Sequence, residues 1–257
     1  MIERIDYGWR IVATGLSFFM FGLGGLLLWL LVFPLLAVLV RKRDRQGRWA
    51  RSIIQTSFAG FIGFMRWLGV LTYDISGAER LHRSGLLVLA NHPTLIDVVF
   101  LVSLIPEADC VVKSRLLRNP FTRGAVLASG YICNDGGADL IAAGIVSVQS
   151  GKNLIVFPEG SRTPSSGRRP LQRGAANIAV RGGLDITPVT IRCTPSTLGK
   201  GQKWYLVPPR RFHMSIHVGE DLAVAPFLAG TNAALAARKL THYLTDFFDR
   251  ERANANA

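Results

Sequence analysis

The chain has 257 residues, of which 49% are hydrophobic, and 30 Lys and Arg against 17 Asp and Glu give it a formal net charge of +13. That length suffices for one substantial domain with a short appendage. No nucleic-acid-binding motif accompanies the positive charge, so membrane lipids with anionic headgroups or an acidic carrier protein are the expected partners, and nucleic acid is not.

The N-terminal segment Ile11 to Val40 contains no charged side chain. It exceeds the roughly 20 apolar residues needed to cross a bilayer. A cleaved signal peptide is the competing interpretation, but the segment is too long for one and is followed by Arg41-Lys42-Arg43 instead of a cleavage site. Three glycines and a proline leave open one tilted helix or two half-length helices dipping into one leaflet: Gly22, Gly24, Gly25 and Pro34.

Basic residues crowd the C-terminal flank of this segment, against Arg4 and Arg10 on the other side. Such asymmetry places the richer flank, and the domain after it, in the cytoplasm. We therefore expect residues 1–52 to form a membrane anchor with a basic juxtamembrane part, and residues 53–257 to form a catalytic domain at the inner membrane with a C-terminal helix. The flanking cations are Arg41, Lys42, Arg43, Arg45, Arg48 and Arg51.

The remaining chain alternates helix-like and strand-like stretches. Ile53 to Leu71 has apolar residues at helical spacing and is predicted to lie on the domain or at the membrane interface. The alternation predicts an α/β fold, with a mixed, largely parallel sheet flanked by helices behind the N-terminal membrane-embedded helix or hairpin. Predicted strands are Leu86–Ala90, Cys110–Lys113, Asn153–Phe157, Asp185–Arg192 and Phe212–Val218; predicted helices are Thr94–Ile105, Ala138–Gln149, Gly174–Arg181 and Thr231–Asp249.

His92 follows a predicted buried strand, and Asp97 lies five residues later in the predicted helix. A carboxylate so placed can orient the imidazole and stabilise its protonated form, leaving the second ring nitrogen to take a proton from an alcohol. The alternative is a histidine that caps a helix beside an aspartate on the surface. No Gly-x-Ser-x-Gly elbow is present, so the sequence does not indicate a covalent acyl-enzyme.

The segment Glu159-Gly160-Ser161-Arg162 follows a second predicted strand. Gly160 permits a tight turn, Ser161 offers a hydroxyl, and Arg162 offers a forked cation suited to a phosphate. Arg168, Arg169 and Arg173 extend the basic character. A plain polar turn with a solvated loop is the alternative.

Together, the motif from Asn91 to Asp97 and the motif from Phe157 to Pro164 resemble the lysophospholipid (glycerolipid) acyltransferase family, of the 1-acylglycerol-3-phosphate acyltransferase type. The resemblance covers about Gly77 to Arg192. It implies that His92 is the base for an acceptor hydroxyl, that Asp97 is its partner, and that the second motif binds the acceptor. It further suggests acceptor or donor contacts at Asn91, Lys113 and Pro188.

One position departs from the family pattern. The middle motif usually ends in an Arg that contacts the acceptor phosphate, whereas this chain has Asn134-Asp135-Gly136. A less anionic acceptor is therefore expected, unless Lys113 or Arg115 supplies the missing cation in space.

The expected activity is transfer of a fatty acyl group from acyl-carrier protein or acyl-CoA, the co-substrate, to a lysophospholipid hydroxyl. Alternatives are a specialised acceptor, such as lyso-ornithine lipid or an aryl polyene lipid anchor, and a non-catalytic lipid-binding protein. No cofactor or metal is expected: Cys110, Cys133 and Cys193 lack metal-type spacing and are predicted to be buried thiols.

Overall fold

The computed structural model describes residues 2–134, 138–163 and 170–254. Its helices are α1 (Ile2–Leu27), α2 (Phe33–Leu39), α3 (Arg43–Trp67), α4 (Asp97–Leu104), α5 (Pro120–Ser129), α6 (Ala138–Gln149), α7 (Arg173–Gly182), α8 (Ala225–Leu228) and α9 (Ala233–Asn254). Its strands are β1 (Leu71–Ser76), β2 (Leu87–Ala90), β3 (Ala108–Val112), β4 (Ile132–Cys133), β5 (Asn153–Val156), β6 (Ile186–Thr194) and β7 (Phe212–Val218). A π-helical segment, Leu28–Val32, joins α1 to α2, and 3-10 turns cover Ala78–Leu81 and Ser114–Leu117.

The described strands form one sheet in the order β1-β7-β6-β2-β5-β3-β4. Only the β6–β7 pair among them is antiparallel, which confirms the predicted mixed, largely parallel sheet. Every residue of β2 and of β5 is buried, as expected for central parallel strands covered on both faces.

Two apolar cores lie on opposite faces of the sheet. Because successive strand residues point to opposite faces, Val88 of β2 joins the core formed with α3 and α4, whereas Leu89 joins the core formed with α6, α7 and α9. The sheet is thus sandwiched between helices, and its loops at the carboxyl ends of the strands are left to carry function.

The helix predicted to extend to Leu71 ends earlier, at Trp67. Gly69 follows it with a φ of +75°, the left-handed conformation that commonly closes a helix. Leu71 then begins β1, a strand that was not predicted from the sequence. The expected boundary after residue 52 falls inside the continuous helix α3, and the division of the chain there stays a prediction.

The N-terminal apolar segment is one helical rod, running from α1 through the π-helical segment into α2. Its part from Ile5 to Leu39 is long and apolar enough to cross a membrane. The rod also packs on α3, where Phe21 contacts Phe61 with ring centroids 5.2 Å apart. A Cβ atom at Gly25 would overlap the carbonyl oxygen of Phe121 in α5, so the glycine permits this close approach.

Not every cation of the basic flank is available to lipid. Arg51 is buried, and its guanidinium donates to Glu107 at 2.7 Å and to the carbonyl oxygen of Ser129 at 2.9 Å. This side chain therefore joins α3 to the loop before β3 and to the end of α5.

Candidate active site

The two sequence motifs meet because they follow neighbouring strands. In the parallel pair of β2 and β5, Leu89 lies opposite Val156. His92 and Glu159 each come three residues after these partners, so both motifs start at the same edge of the sheet.

His92 and Asp97 form the predicted pair. Nδ1 of His92 lies 2.8 Å from Oδ2 of Asp97. A carboxylate can only accept, so Nδ1 carries the proton and Nε2 presents a lone pair. The His92 side chain is 17% exposed whereas that of Asp97 is fully buried, which leaves the imidazole as the accessible member of the pair.

The His92 ring is held on its face as well as at its edge. It stacks on the Phe157 ring with centroids 4.2 Å apart and an interplanar angle of 26°. Phe157 comes directly before the Pro-Glu-Gly turn of the second motif, so this motif contributes to fixing the plane of the imidazole.

Asp97 begins α4, and Thr94 closes the turn before it. Asp97 Oδ2 accepts from the backbone N–H of Thr94 at 2.7 Å, and its Oδ1 accepts from the Thr94 hydroxyl. This is why the helix predicted from Thr94 starts three residues later. Burial raises the pKa of the Asp97 carboxyl, while the hydrogen bonds from His92 and then Thr94 act in the opposite direction.

Glu159 joins the two motifs. Its side chain is only 2% exposed, and Oε1 accepts from the backbone N–H of His92 at 3.1 Å and from the hydroxyl of Thr163 at 2.8 Å. The backbone N–H of Thr163 in turn donates to the carbonyl oxygen of His92 at 2.7 Å. Oε2 of Glu159 is buried and has no hydrogen-bond partner among the residues described here. The geometry supports a positioning role for this glutamate.

Arg162 is anchored by a distant segment of the chain. Its Nη1 donates to the carbonyl oxygens of Leu198 and Gly199, each at 2.8 Å. Burial lowers the pKa of Arg162 and the positive charge of Arg115 lowers it further, while Asp97 acts in the opposite direction. Because a guanidinium has five N–H donors, anchoring through Nη1 leaves Nε and Nη2 for an anionic ligand as far as the described part of the chain is concerned.

The other predicted contact residues have diverse surroundings. Gly160 has a φ of +65° and donates its N–H to the carbonyl oxygen of Phe157 at 2.9 Å, as the tight turn requires. Ser161 is half-buried beside Arg162, and Lys113 is exposed after β3. Pro188 is buried in β6, opposite Leu89.

Asn91 has both ends of its side-chain amide committed to β6. Its Nδ2 donates to the carbonyl oxygen of Ile191 at 2.8 Å, and its Oδ1 accepts from the N–H of Ile191 at 2.7 Å. A substrate contact for Asn91, as for Lys113 and Pro188, stays a prediction. Gly136, Arg168 and Arg169 lie outside the described residues.

Two contributors were not foreseen from the sequence, namely Thr163 and the segment around Leu198. A hydroxyl one residue beyond Arg162 was the only signal for Thr163. Leu198 gave none, because its role comes from a backbone carbonyl 36 residues away from the guanidinium it binds.

The family resemblance is confirmed by comparison with known proteins. Residues 72–192 match the family model described as Acyltransferase. This match runs from the second residue of β1 into β6 and contains both motifs, with His92, Asp97 and Glu159 inside it.

Proteins named as acyltransferases are also similar in sequence to this chain. The chain is 29% identical over 147 residues to a 1-acyl-sn-glycerol-3-phosphate acyltransferase of Saccharomyces cerevisiae, covering 54% of this chain and 48% of the relative. A Borreliella burgdorferi protein of the same name is 26% identical over 132 residues, covering 49% and 53%. The chain thus spans about half the length of the curated relatives it matches.

A solved structure shows the same fold over nearly the whole chain. The crystal structure of the 1-acyl-sn-glycerophosphate acyltransferase PlsC from Thermotoga maritima superposes with a TM-score of 0.72, covering 99% of this chain and 98% of the other. At 18% sequence identity, this likeness concerns the fold alone.

Proposed function

We propose that this chain, whose residues 72–192 match the acyltransferase family, transfers a fatty acyl group from a thioester donor to a hydroxyl of a lysophospholipid or related glycerolipid. The observation that carries the proposal is the contact of His92 Nδ1 with the buried carboxylate of Asp97. The pair supplies a general base on a side chain that is 17% exposed, and direct attack by an alcohol requires such an accessible base.

The reaction needs one proton relay. Nε2 of His92 takes the proton of the acceptor hydroxyl as its oxygen attacks the thioester carbonyl. The tetrahedral intermediate then expels the thiolate of the donor, which takes up the proton held by His92. Asp97 stabilises the imidazolium between these steps, and no acyl-enzyme forms. A positioned base contributes about 10²- to 10⁴-fold, and much of the remaining acceleration comes from holding the two substrates side by side.

The acceptor is recognised by cations around the base. Arg162 is oriented by its anchor, and Arg115 lies in the turn after β3, the parallel strand beside β5, at the same edge of the sheet as both motifs. Two cations at this edge favour an anionic group such as the phosphate of a lysophospholipid. Arg115 is therefore the residue we assign to the cation that the middle motif lacks, with Lys113 as a further contributor.

The membrane is the expected location of the lipid acceptor. The rod from Ile5 to Leu39 provides an apolar surface for attachment, and the basic flank supports a catalytic domain on the cytoplasmic side of the inner membrane. The acyl donor, acyl-carrier protein or acyl-CoA, then reaches the site from the cytoplasm.

A purified full-length enzyme offered several acceptors tests the proposal. Lysophosphatidic acid, lysophosphatidylglycerol and lyso-ornithine lipid are each incubated with acyl-carrier-protein or CoA thioesters, and the products are quantified by mass spectrometry. Acylation of a lysophospholipid supports the proposal, and preference for lyso-ornithine lipid assigns the specialised acceptor. Lipid binding without product from any donor and acceptor pair would favour the non-catalytic alternative.

A further inference from the structure

The connection between β6 and β7, Pro195 to Arg211, runs from the active site to the N-terminal helix. It has no regular secondary structure over 17 residues, a length at which loops in compact domains are usually functional or disordered. We call it the β6–β7 loop.

At its start, this loop is fixed to both catalytic motifs. The carbonyl oxygen of Leu198 accepts from the backbone N–H of Leu95 at 3.1 Å and from Nη1 of Arg162 at 2.8 Å. Leu198 is buried and has a φ of +55°, an uncommon conformation for a residue other than glycine. The loop thus holds a guanidinium of the site in place through its backbone.

Further along, the loop lies on α1. The ring of Trp204 is 5.6 Å from that of Phe18, and it would be 3.4 Å from a Cβ atom at Gly15. The guanidinium of Arg10 donates to the carbonyl oxygen of Pro209 at 2.7 Å, so the end of the loop is also tied to the helix. The apolar surface of α1 therefore continues onto the loop.

The middle of the loop exposes large apolar side chains. Trp204 is 46% exposed, Tyr205 44% and Leu206 60%. Four cations accompany them and no acidic residue does: Lys200, Lys203, Arg210 and Arg211. Aromatic rings beside Lys and Arg are the composition that favours the interface of an anionic bilayer, where rings lie at headgroup level and cations meet lipid phosphates.

From these features, we infer that the β6–β7 loop is a second membrane-binding element, which inserts Tyr205 and Leu206 into a bilayer containing anionic lipids. The inference deepens the membrane attachment proposed above. Because the same loop anchors Arg162, contact with lipid orients an acceptor-binding cation relative to the membrane surface. The occupant is the bilayer itself, since the exposed patch is continuous with the apolar helix and carries charge opposite to anionic headgroups.

Site-directed fluorescence on the full-length chain in vesicles tests this contact. In a background with the three cysteines replaced, an environment-sensitive fluorophore is attached at Leu206→Cys. Val12→Cys on α1 serves as the positive reference, and Val146→Cys, exposed on α6 across the sheet, serves as the negative one. Vesicles contain phosphatidylethanolamine and phosphatidylglycerol, with a lipid-borne quencher in the acyl chains.

Quenching at positions 206 and 12 but not at 146, weakened at 206 in phosphatidylcholine vesicles, is the expected result. Quenching at 12 alone would overturn the loop contact and leave the N-terminal attachment standing. Quenching at neither position would overturn both. Since acyl transfer is not measured here, failure of the inference is separable from failure of the enzymatic proposal.

Activity assays of loop variants test whether contact of the loop with lipid affects use of the acceptor. The double variant Tyr205→Ser with Leu206→Ser is expected to raise the KM for a lysophospholipid in anionic vesicles by about tenfold, because apolar surface no longer enters the bilayer. Its kcat with detergent-dispersed substrate is expected to stay unchanged, as is the KM of the control Val146→Ser. An unchanged KM in vesicles for the double variant would contradict the orienting role.

Discussion

The backbone N–H of His92 donates to Oε1 of Glu159 across 3.1 Å. A residue in the loop after β2 is thus held by a side chain in the loop after β5, the neighbouring strand in the sheet. The glutamate was predicted to bind the acceptor. Its burial and its two hydrogen bonds also support a role in holding the base in position, and acceptor contact by this side chain stays a prediction.

Replacing Glu159 separates positioning from acceptor binding. Glu159→Ala leaves the His92 N–H and the Thr163 hydroxyl without their acceptor, and an ångström of misplacement costs about 100-fold in rate. We expect kcat to fall by roughly that factor with little change in the acceptor KM. Glu159→Gln keeps an acceptor oxygen and should recover most of the rate. A rise in KM alone, in steady-state assays, would favour direct acceptor contact.

Loss of the base should be severe. His92→Ala is expected to lower acyl transfer by at least about 100-fold, while circular dichroism and membrane attachment remain as in the wild type. The exposed His242, on α9, provides the matched control, since His242→Ala should be fully active. A purified His92→Ala enzyme that retains a tenth of normal activity is incompatible with the proposed mechanism.

The buried charge of Asp97 is expected to support activity and to lower the stability of the fold. Burial raises the pKa of Asp97 above its ordinary 3.8, so the native state binds this proton more tightly than the unfolded chain does. The protonated Asp97 carboxyl therefore makes its full contribution to the free energy of unfolding at a pH below its pKa in the unfolded chain. That contribution is lost as the pH rises through its higher pKa in the folded protein. In Asp97→Asn, the amide oxygen can still accept from His92 and Thr94, while the charge that supports the imidazolium is absent.

We expect Asp97→Asn to reduce acyl transfer by about 100-fold or more. Thermal unfolding of the two proteins, followed from acid to neutral pH, should show the variant gaining stability relative to the wild type as pH rises. If the variant instead became less stable relative to the wild type as the pH rises over that range, the result would show that the buried charge stabilises the fold.

The close packing of α1 on α5 can be tested with adjacent glycines. Gly25→Ala places a methyl group against the backbone of Phe121, and overpacking of this kind typically costs about 1–3 kcal/mol. Gly24→Ala meets nothing within 4 Å and is the control. We expect a lower unfolding temperature and faster proteolysis for Gly25→Ala alone; equal behaviour of the two variants would mean that α1 does not pack on α5 in this way.

Arg115 should determine the use of anionic acceptors. Removing one charge-assisted contact costs about 1.5–3 kcal/mol, or roughly 10- to 100-fold in affinity. Arg115→Ala is therefore expected to raise the KM for lysophosphatidic acid by that factor and to affect an uncharged acceptor much less. Arg118→Ala, an exposed cation at the end of the same 3-10 turn, should change neither. Equal losses for both acceptors would argue against a phosphate contact.

The sequence predicted the central strands and the contact between His92 and Asp97 because their signals are local. Continuous apolar runs marked β2 and β5, and the five-residue spacing placed Asp97 within reach of His92. The edge strand β1 has one buried residue, Leu71, followed by half-buried and exposed ones, and only the turn at Gly69 separates it from the helix before it. The anchor of Arg162 could not be predicted from the sequence, because a backbone carbonyl has no side-chain signature.

The register of β2 against β5 also limits how the two catalytic loops can differ in length. Leu89 and Val156 are opposite one another, and the loops after them are joined at three points within a few residues. An added residue between Ala90 and Asp97, or between Phe157 and Thr163, would rotate the following side chains away from their partners. Insertions elsewhere at this edge, such as beyond Gly199 in the long connection between β6 and β7, would leave these contacts intact. Differences in chain length among active enzymes of this architecture should therefore concentrate there.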